Sequence, residues 1–253
     1  MFQELLPASV FAALLVFVRV GAALLLLPGY SAPYVPQRLR LLLGLMVALV
    51  VTPVVAPILP AMPESATALV LIILGETLIG LFFGTIGRLF LASLTTAGMF
   101  IAYASSMANA LTNDPSAAQQ GSISGSFLTA AALMLIFTLD LHHLMLMAVV
   151  DSYHLFVPGQ VPPIGDFADM ITRVVAQTFL LSFQIASPFI LVAMIFILGL
   201  GLLGRLMPQM QVFFVAMPLQ IGIGLVVLAA TLPALLRWFV GAFENAFIPF
   251  VAL

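Results

Sequence analysis

Cysteine is absent from this 253-residue chain, and so is lysine. The first absence excludes disulfides, thiolate metal centres and a thiol nucleophile. The second leaves Arg19, Arg38, Arg40, Arg88, Arg173, Arg205 and Arg237 as the only permanently cationic side chains. With a net charge of -2 there is no basic surface for nucleic acid. A phosphate-binding loop with its lysine is also missing, so the chain does not hydrolyse nucleotides by that route. Charge of either sign is scarce: 6% of residues, where a soluble domain carries roughly a quarter. What replaces it is 64% hydrophobic residues and a mean hydropathy of +1.28, the composition of an integral membrane protein. The N-terminus lacks the charged region and small-residue cleavage site of a signal peptide, so its first apolar run is expected to stay.

The apolar residues fall into runs punctuated by proline and glycine. Leu5 to Leu27 holds Arg19 near its middle and ends at Pro28-Gly29; Pro33 and Pro36 then lead to Arg38 and Arg40. Leu41 to Val55 closes in the series Pro53, Pro57, Pro60 and Pro63. Ala68 to Phe90 contains Glu76, Gly80 and Gly84, and the Ser/Thr/Ala/Gly-rich stretch Ala92 to Ala110 continues it as helix. Phe127 to Val150, Val174 to Leu203 with Pro188, and Val212 to Leu236 with Pro218 complete the set. Runs of roughly 17–25 residues can each cross a ~30 Å hydrocarbon core. The predicted fold is all-α and polytopic, about six hydrophobic helical regions joined as Pro/Gly-broken hairpins. Arg38, Arg40, Arg88 and Arg205 fall on one side of that arrangement, which the positive-inside rule assigns to the cytoplasm, with the N-terminus outside.

One interval breaks the pattern. Ser105 to Ser126 is built from Ser, Asn, Gln, Gly and Ala with Asp114 as its only charge. Such a segment at membrane depth must be covered by protein or line a watery cavity. It is read here as the lining or obstruction of a path through an assembly.

Several side chains are candidates for more than packing. Arg19 and Glu76 lie inside apolar runs, where an ionisable group costs about 2.5–3.5 kcal/mol or more unless it finds a partner. They are expected to pair with each other or with an adjoining subunit, as a structural ion pair rather than a relay. Gly80 and Gly84, four apart, suit a close helix–helix contact, and Ala104 and Ala108 repeat the spacing. Asp140, His142 and His143, with Asp151 and His154 further on, are the one group resembling metal ligands, although helix-end polar contacts explain them more simply. Gly121 to Gly125 has Ile123 where a nucleophile elbow needs serine, so it reads as a linker. Met107, Met207, Met210 and Met217 lie near the loops, either as adaptable seal or as ordinary filler. No catalytic constellation, cofactor site or metal centre emerges.

The order of landmarks carries a resemblance. Arg19-Val-Gly21 and Pro28, Pro33 to Arg38-x-Arg40, Gly75-Glu76 with Gly80 and Gly84, Thr96-Ala-Gly98 and Asp114-Pro115 come first. His143, Asp151-Ser-Tyr-His154, the Gly199-to-Arg205 segment with Leu-Met-Pro-Gln209, and Pro218 follow. Over essentially its entire length the chain resembles the FliR family of flagellar and type III secretion export-gate proteins. The resemblance implies a non-enzymatic pore subunit at the flagellar basal body in the bacterial inner membrane. Its implied partners are FliP and FliQ homologues around a channel for unfolded substrates, an FlhB homologue, and membrane lipid. It divides the chain into a FliP-like part, 1–171, with its pore loop at about 105–126, and a FliQ-like hairpin and tail, 172–253. The implied plug comprises Met107, Asn109, Leu111, Thr112, Asn113, Asp114 and Pro115. The implied cytosolic hairpin tip is Arg205, Met207, Pro208 and Gln209. Family members often place bulky aromatics before the Asp-Pro; here Asn109 to Asn113 make that stretch more polar. Two other classes compete: a secondary transporter binding a small solute or proton at Arg19, Glu76 and Asp140, and a membrane enzyme using the His/Asp group.

Overall fold

A computed structural model describes residues 2–107, 122–206 and 212–251. Among them there is helix and connection but no strand. The α-helices are α1 (Phe2–Leu24), α2 (Gln37–Val55), α3 (Ala66–Ala104), α4 (Ile123–Thr138), α5 (Leu141–Leu155), α6 (Ile164–Leu206) and α7 (Val212–Phe247). Short 3-10 turns, Ala56–Ile58 and Ile248–Phe250, follow α2 and α7.

The breaks sit where the backbone cannot continue as helix. Pro28 lacks an N–H and Gly29 takes a positive φ of 81°, which ends the turn after α1. Pro36 immediately precedes α2. Ser65 Oγ accepts the Ala68 N–H (3.2 Å), meeting one of the unpaired donors at the start of α3. Inside α6, Pro188 cannot donate to the carbonyl of Gln184. The Ser187 hydroxyl donates to that carbonyl instead (2.8 Å), so α6 passes through its proline with the acceptor satisfied.

The expected run boundaries move in several places: α6 begins at Ile164 rather than Val174, and α7 runs past Leu236 to Phe247. The fourth run is not one helix: α4 and α5 meet at a 71° bend at Leu139-Asp140, where Asp140 adopts the left-handed conformation (φ 58°, ψ 17°). No Gly or Pro marks that break; Asp is among the few other residues that tolerate this region. The Ser/Thr/Ala/Gly-rich stretch does remain helical, as far as Ala104, so that α3 reaches 39 residues. Among the described residues four helices are long and apolar enough to cross a membrane, five if the bent α4–α5 pair is one span; Ser9–Leu24 is shorter.

The chain forms two compact units: residues 1–89, 136–175 and 243–253, and residues 90–135 and 176–242. The first contains an aromatic cluster beside its aliphatic core. Phe82 stacks on Phe167 (centroids 4.3 Å apart), and Phe83, Phe156 and Phe250 close around them edge-on. Tyr30 meets Phe137 edge-on in the same unit, and burial pushes its phenol above its ordinary pKa. In the second unit α3 and α4 touch backbone to backbone, because a Cβ on Gly98 would overlap the backbone of Gly125.

Candidate functional site

Within the first unit α1 and the turn that follows it lie against α3 along Gly80, Gly84 and Gly87. A Cβ on Gly80 would run into the Arg19 carbonyl and lie 2.8 Å from Ala22 Cβ; one on Gly84 would lie 2.7 Å from Leu26 Cβ; one on Gly87, 2.6 Å from Pro28 Cδ. The helices can approach this closely only without those side chains. That approach brings Arg19 and Glu76 together. Arg19 Nε donates to Glu76 Oε2 (2.6 Å) and Nη2 to Oε1 (3.0 Å), a two-pronged ion pair with both residues at most 1% exposed. Two of the fork's three remaining N–H groups are also used. Nη1 donates to Ser152 Oγ (3.1 Å) and Nη2 to the Phe156 carbonyl (3.0 Å), both at the end of α5. The guanidinium carbon lies 3.8 Å from the centroid of the Tyr153 ring, a desolvated cation–π contact. A buried arginine needs this much, since each unpaired charge or donor in low dielectric is costly.

Asp140, His142 and His143 place ligand atoms within 4.8 Å of one another, and they are the residues able to hold a cation in the described chain. Asp140 and His143 are exposed and interact at 3.5 Å across the first turn of α5, as helix-end polar contacts do. Asp151 and His154 are not part of this group.

The second unit carries the two roots of the polar interval. At its entry Ser106 takes a positive φ of 58°, immediately after α3. The Gln220 side chain of α7 spans this point: its amide nitrogen donates to the Ala104 carbonyl (2.7 Å), and its amide oxygen accepts from Ser106 Oγ (2.9 Å). One turn further along α7, Gly224 faces Ser105, whose Cβ would lie 2.5 Å from an added Cβ. Phe189 and Ala193 of α6 complete the seat, and the space left is about 10 Å³, at the lower limit for one water. At the exit Ser122 Oγ accepts the Gly125 N–H (3.0 Å). Met107 Sδ lies 3.9 Å from Ser124 Oγ, so entry and exit adjoin. Asn109, Leu111, Thr112, Asn113, Asp114 and Pro115 lie outside the described residues, as do Met207, Pro208 and Gln209. Arg205, exposed, lies in the last turn of α6.

Residues 10–246 match the model of the family described as bacterial export proteins, family 1. The flagellar biosynthetic protein FliR of Caulobacter vibrioides is 39% identical over 224 residues, 88% of this chain and 89% of that one. The chain belongs to the FliR family. FliR of Bacillus subtilis is 28% identical over 89% of this chain and 86% of its own length. The Yop proteins translocation protein T of Yersinia pestis is 28% identical over 78% and 80%. In this FliR-family chain the sequence exposed Arg19, Glu76, Gly80 and Gly84 as unusual. Gln220 escaped notice, although it is an amide inside the apolar run Val212 to Leu236 with a glycine four residues on. Ser152 and Tyr153 stood only within the landmark Asp151-Ser-Tyr-His154, and nothing in its spacing tied them to Arg19.

Proposed function

We propose that the chain is a pore and gate subunit of the flagellar type III export apparatus in the bacterial inner membrane, and that it is not an enzyme. It assembles with FliP and FliQ homologues around the path of unfolded substrates. Residues 1–171 act as the FliP-like part, 172–253 as the FliQ-like hairpin. Asn109 to Pro115, entered from Met107, obstruct the path at rest. The tip at Arg205 to Gln209 meets an FlhB homologue on the cytosolic side. Energy comes from elsewhere in the apparatus.

Membership of a family whose relatives carry flagellar biosynthesis and protein-translocation names carries this reading. Helix dimensions support it. α3 and α6 have 39 and 43 residues, about 58 and 64 Å at ~1.5 Å per residue, against a ~30 Å hydrocarbon core. Helices of that length project beyond the bilayer, as a subunit of a larger apparatus does. The carrier reading loses its charged pair, because Arg19 and Glu76 satisfy one another and are sealed from solvent.

Deletion of residues 109–119 tests the reading. The complex is expected to assemble and to leak ions or small dyes; an assembled complex as tight as the parent removes the plug.

A further inference from the structure

A glutamine in an apolar helix needs partners, because an amide left unpaired among hydrocarbon is costly. Gln220 has two, and both belong to the junction where α3 stops. The last carbonyls of a helix have no acceptor role within the helix itself and call for an outside donor. The Gln220 nitrogen supplies one to Ala104, while the amide oxygen accepts a hydrogen bond from the hydroxyl of Ser106, the residue in the left-handed conformation. The amide is oriented so that both contacts are attractive; reversed, it would set oxygen against carbonyl. Gly224 removes the side chain that would otherwise push Ser105 away, and the seat has almost no free volume. A single side chain therefore fixes both the end of one helix and the first turn away from it.

We propose that Gln220 is a positioning residue of the gate: by clamping Ala104 and Ser106 to α7 it holds the root of the polar interval in the resting state, and opening releases this clamp. The proposal rests on the gate-subunit reading above. It assigns Gln220 no contact with substrate; it acts through the end of α3. Parting α3 from α7 here breaks two hydrogen bonds and no ion pair, a modest barrier of the kind a reversible gate requires.

Gln220→Met keeps the length and bulk of the side chain and removes both hydrogen bonds. Ser106→Ala removes one. The complete complex is compared with its parent for abundance and for leak of a small dye into cells or proteoliposomes. Gln220→Met is expected to assemble normally and raise the leak roughly tenfold, the shift that losing two net hydrogen bonds permits. Ser106→Ala is expected to raise it less, and to add nothing in the Gln220→Met background, because its partner is already gone. A residue serving only packing would lower abundance and leave the leak of the remaining complex unchanged. Wild-type tightness in Gln220→Met, or additive effects of the two changes, overturns the proposal. Should Gln220→Met fail to assemble, Ser106→Ala alone decides: a leak supports the clamp and tightness overturns it. Leak on deleting 109–119 with a tight Gln220→Met discards the clamp and keeps the plug; an assembled deletion as tight as the parent removes the plug itself.

Discussion

Arg19 shows what a single residue demands of the structure around it. Its guanidinium is met by a carboxylate, a hydroxyl, a carbonyl and an aromatic face, all within one compact unit. Removing one partner of such a pair leaves a buried charge and costs about 3–5 kcal/mol, whereas replacing both by apolar groups is often neutral. Glu76→Leu is therefore expected to lower the thermal midpoint of the detergent-purified complex markedly. Arg19→Met combined with Glu76→Leu should recover most of the loss; a double variant no better than the single one would show that the pair is not the unit of stability. Glu76→Gln separates structure from proton transfer: if export persists in whatever complex assembles, no relay runs through this carboxylate. That these two residues matter was legible, because charges inside apolar runs stand out. The full set of partners was not. Ser152 and Phe156 are 133 and 137 residues away in sequence, and no periodicity links them to Arg19.

Helices in this chain are positioned by what their glycines lack. Gly80 and Gly84 give α1 its seat on α3, Gly87 does the same for the turn at Pro28, and Gly98 meets Gly125 between α3 and α4. A methyl group forced into such a contact typically costs about 1–3 kcal/mol. Gly80→Ala is thus expected to destabilise the chain, and Gly80→Leu to prevent the contact. Gly201 in α6 has nothing within 4 Å of an added Cβ. Gly201→Ala should stabilise its helix by about 0.5–1 kcal/mol through backbone entropy. Thermal melts of the full chain in detergent check the pair, and equal shifts at both positions would contradict the close-packing account. The Gly80/Gly84 spacing was visible in the sequence, and so were the proline-marked helix ends. The 71° break at Asp140 was not, since neither Gly nor Pro stands there and an Asp entering the left-handed region leaves no mark on hydropathy. The α3 extension through Ala92–Ala104 was legible because that stretch contains no proline.

At the scale of the whole molecule, many large apolar side chains among the described residues stand exposed, along α2 and α6 above all. In the most apolar 18-residue window of the Ala216–Phe250 span only 6% of residues are buried within the chain. Lipid or other proteins must cover the rest. Composition alone revealed the membrane class, and the sequence of landmarks revealed the family, because each landmark is a proline, glycine or charge that an apolar background makes conspicuous. The compact units were not foreseeable. They divide the chain at 89/90, 135/136, 175/176 and 242/243, inside continuous apolar helices, whereas the division at 171/172 expresses likeness to other chains rather than contacts within this one. Under the proposed function this polypeptide is one part of a conduit and conducts nothing by itself. Native mass measurement of the protein drawn from its own membrane, coupled to solute-flux assays on the same preparation in liposomes, addresses that claim most directly. The account predicts a fixed-stoichiometry complex with FliP and FliQ homologues, and no solute flux from the isolated chain. A lone, monodisperse chain that transports a small solute in liposomes would contradict it.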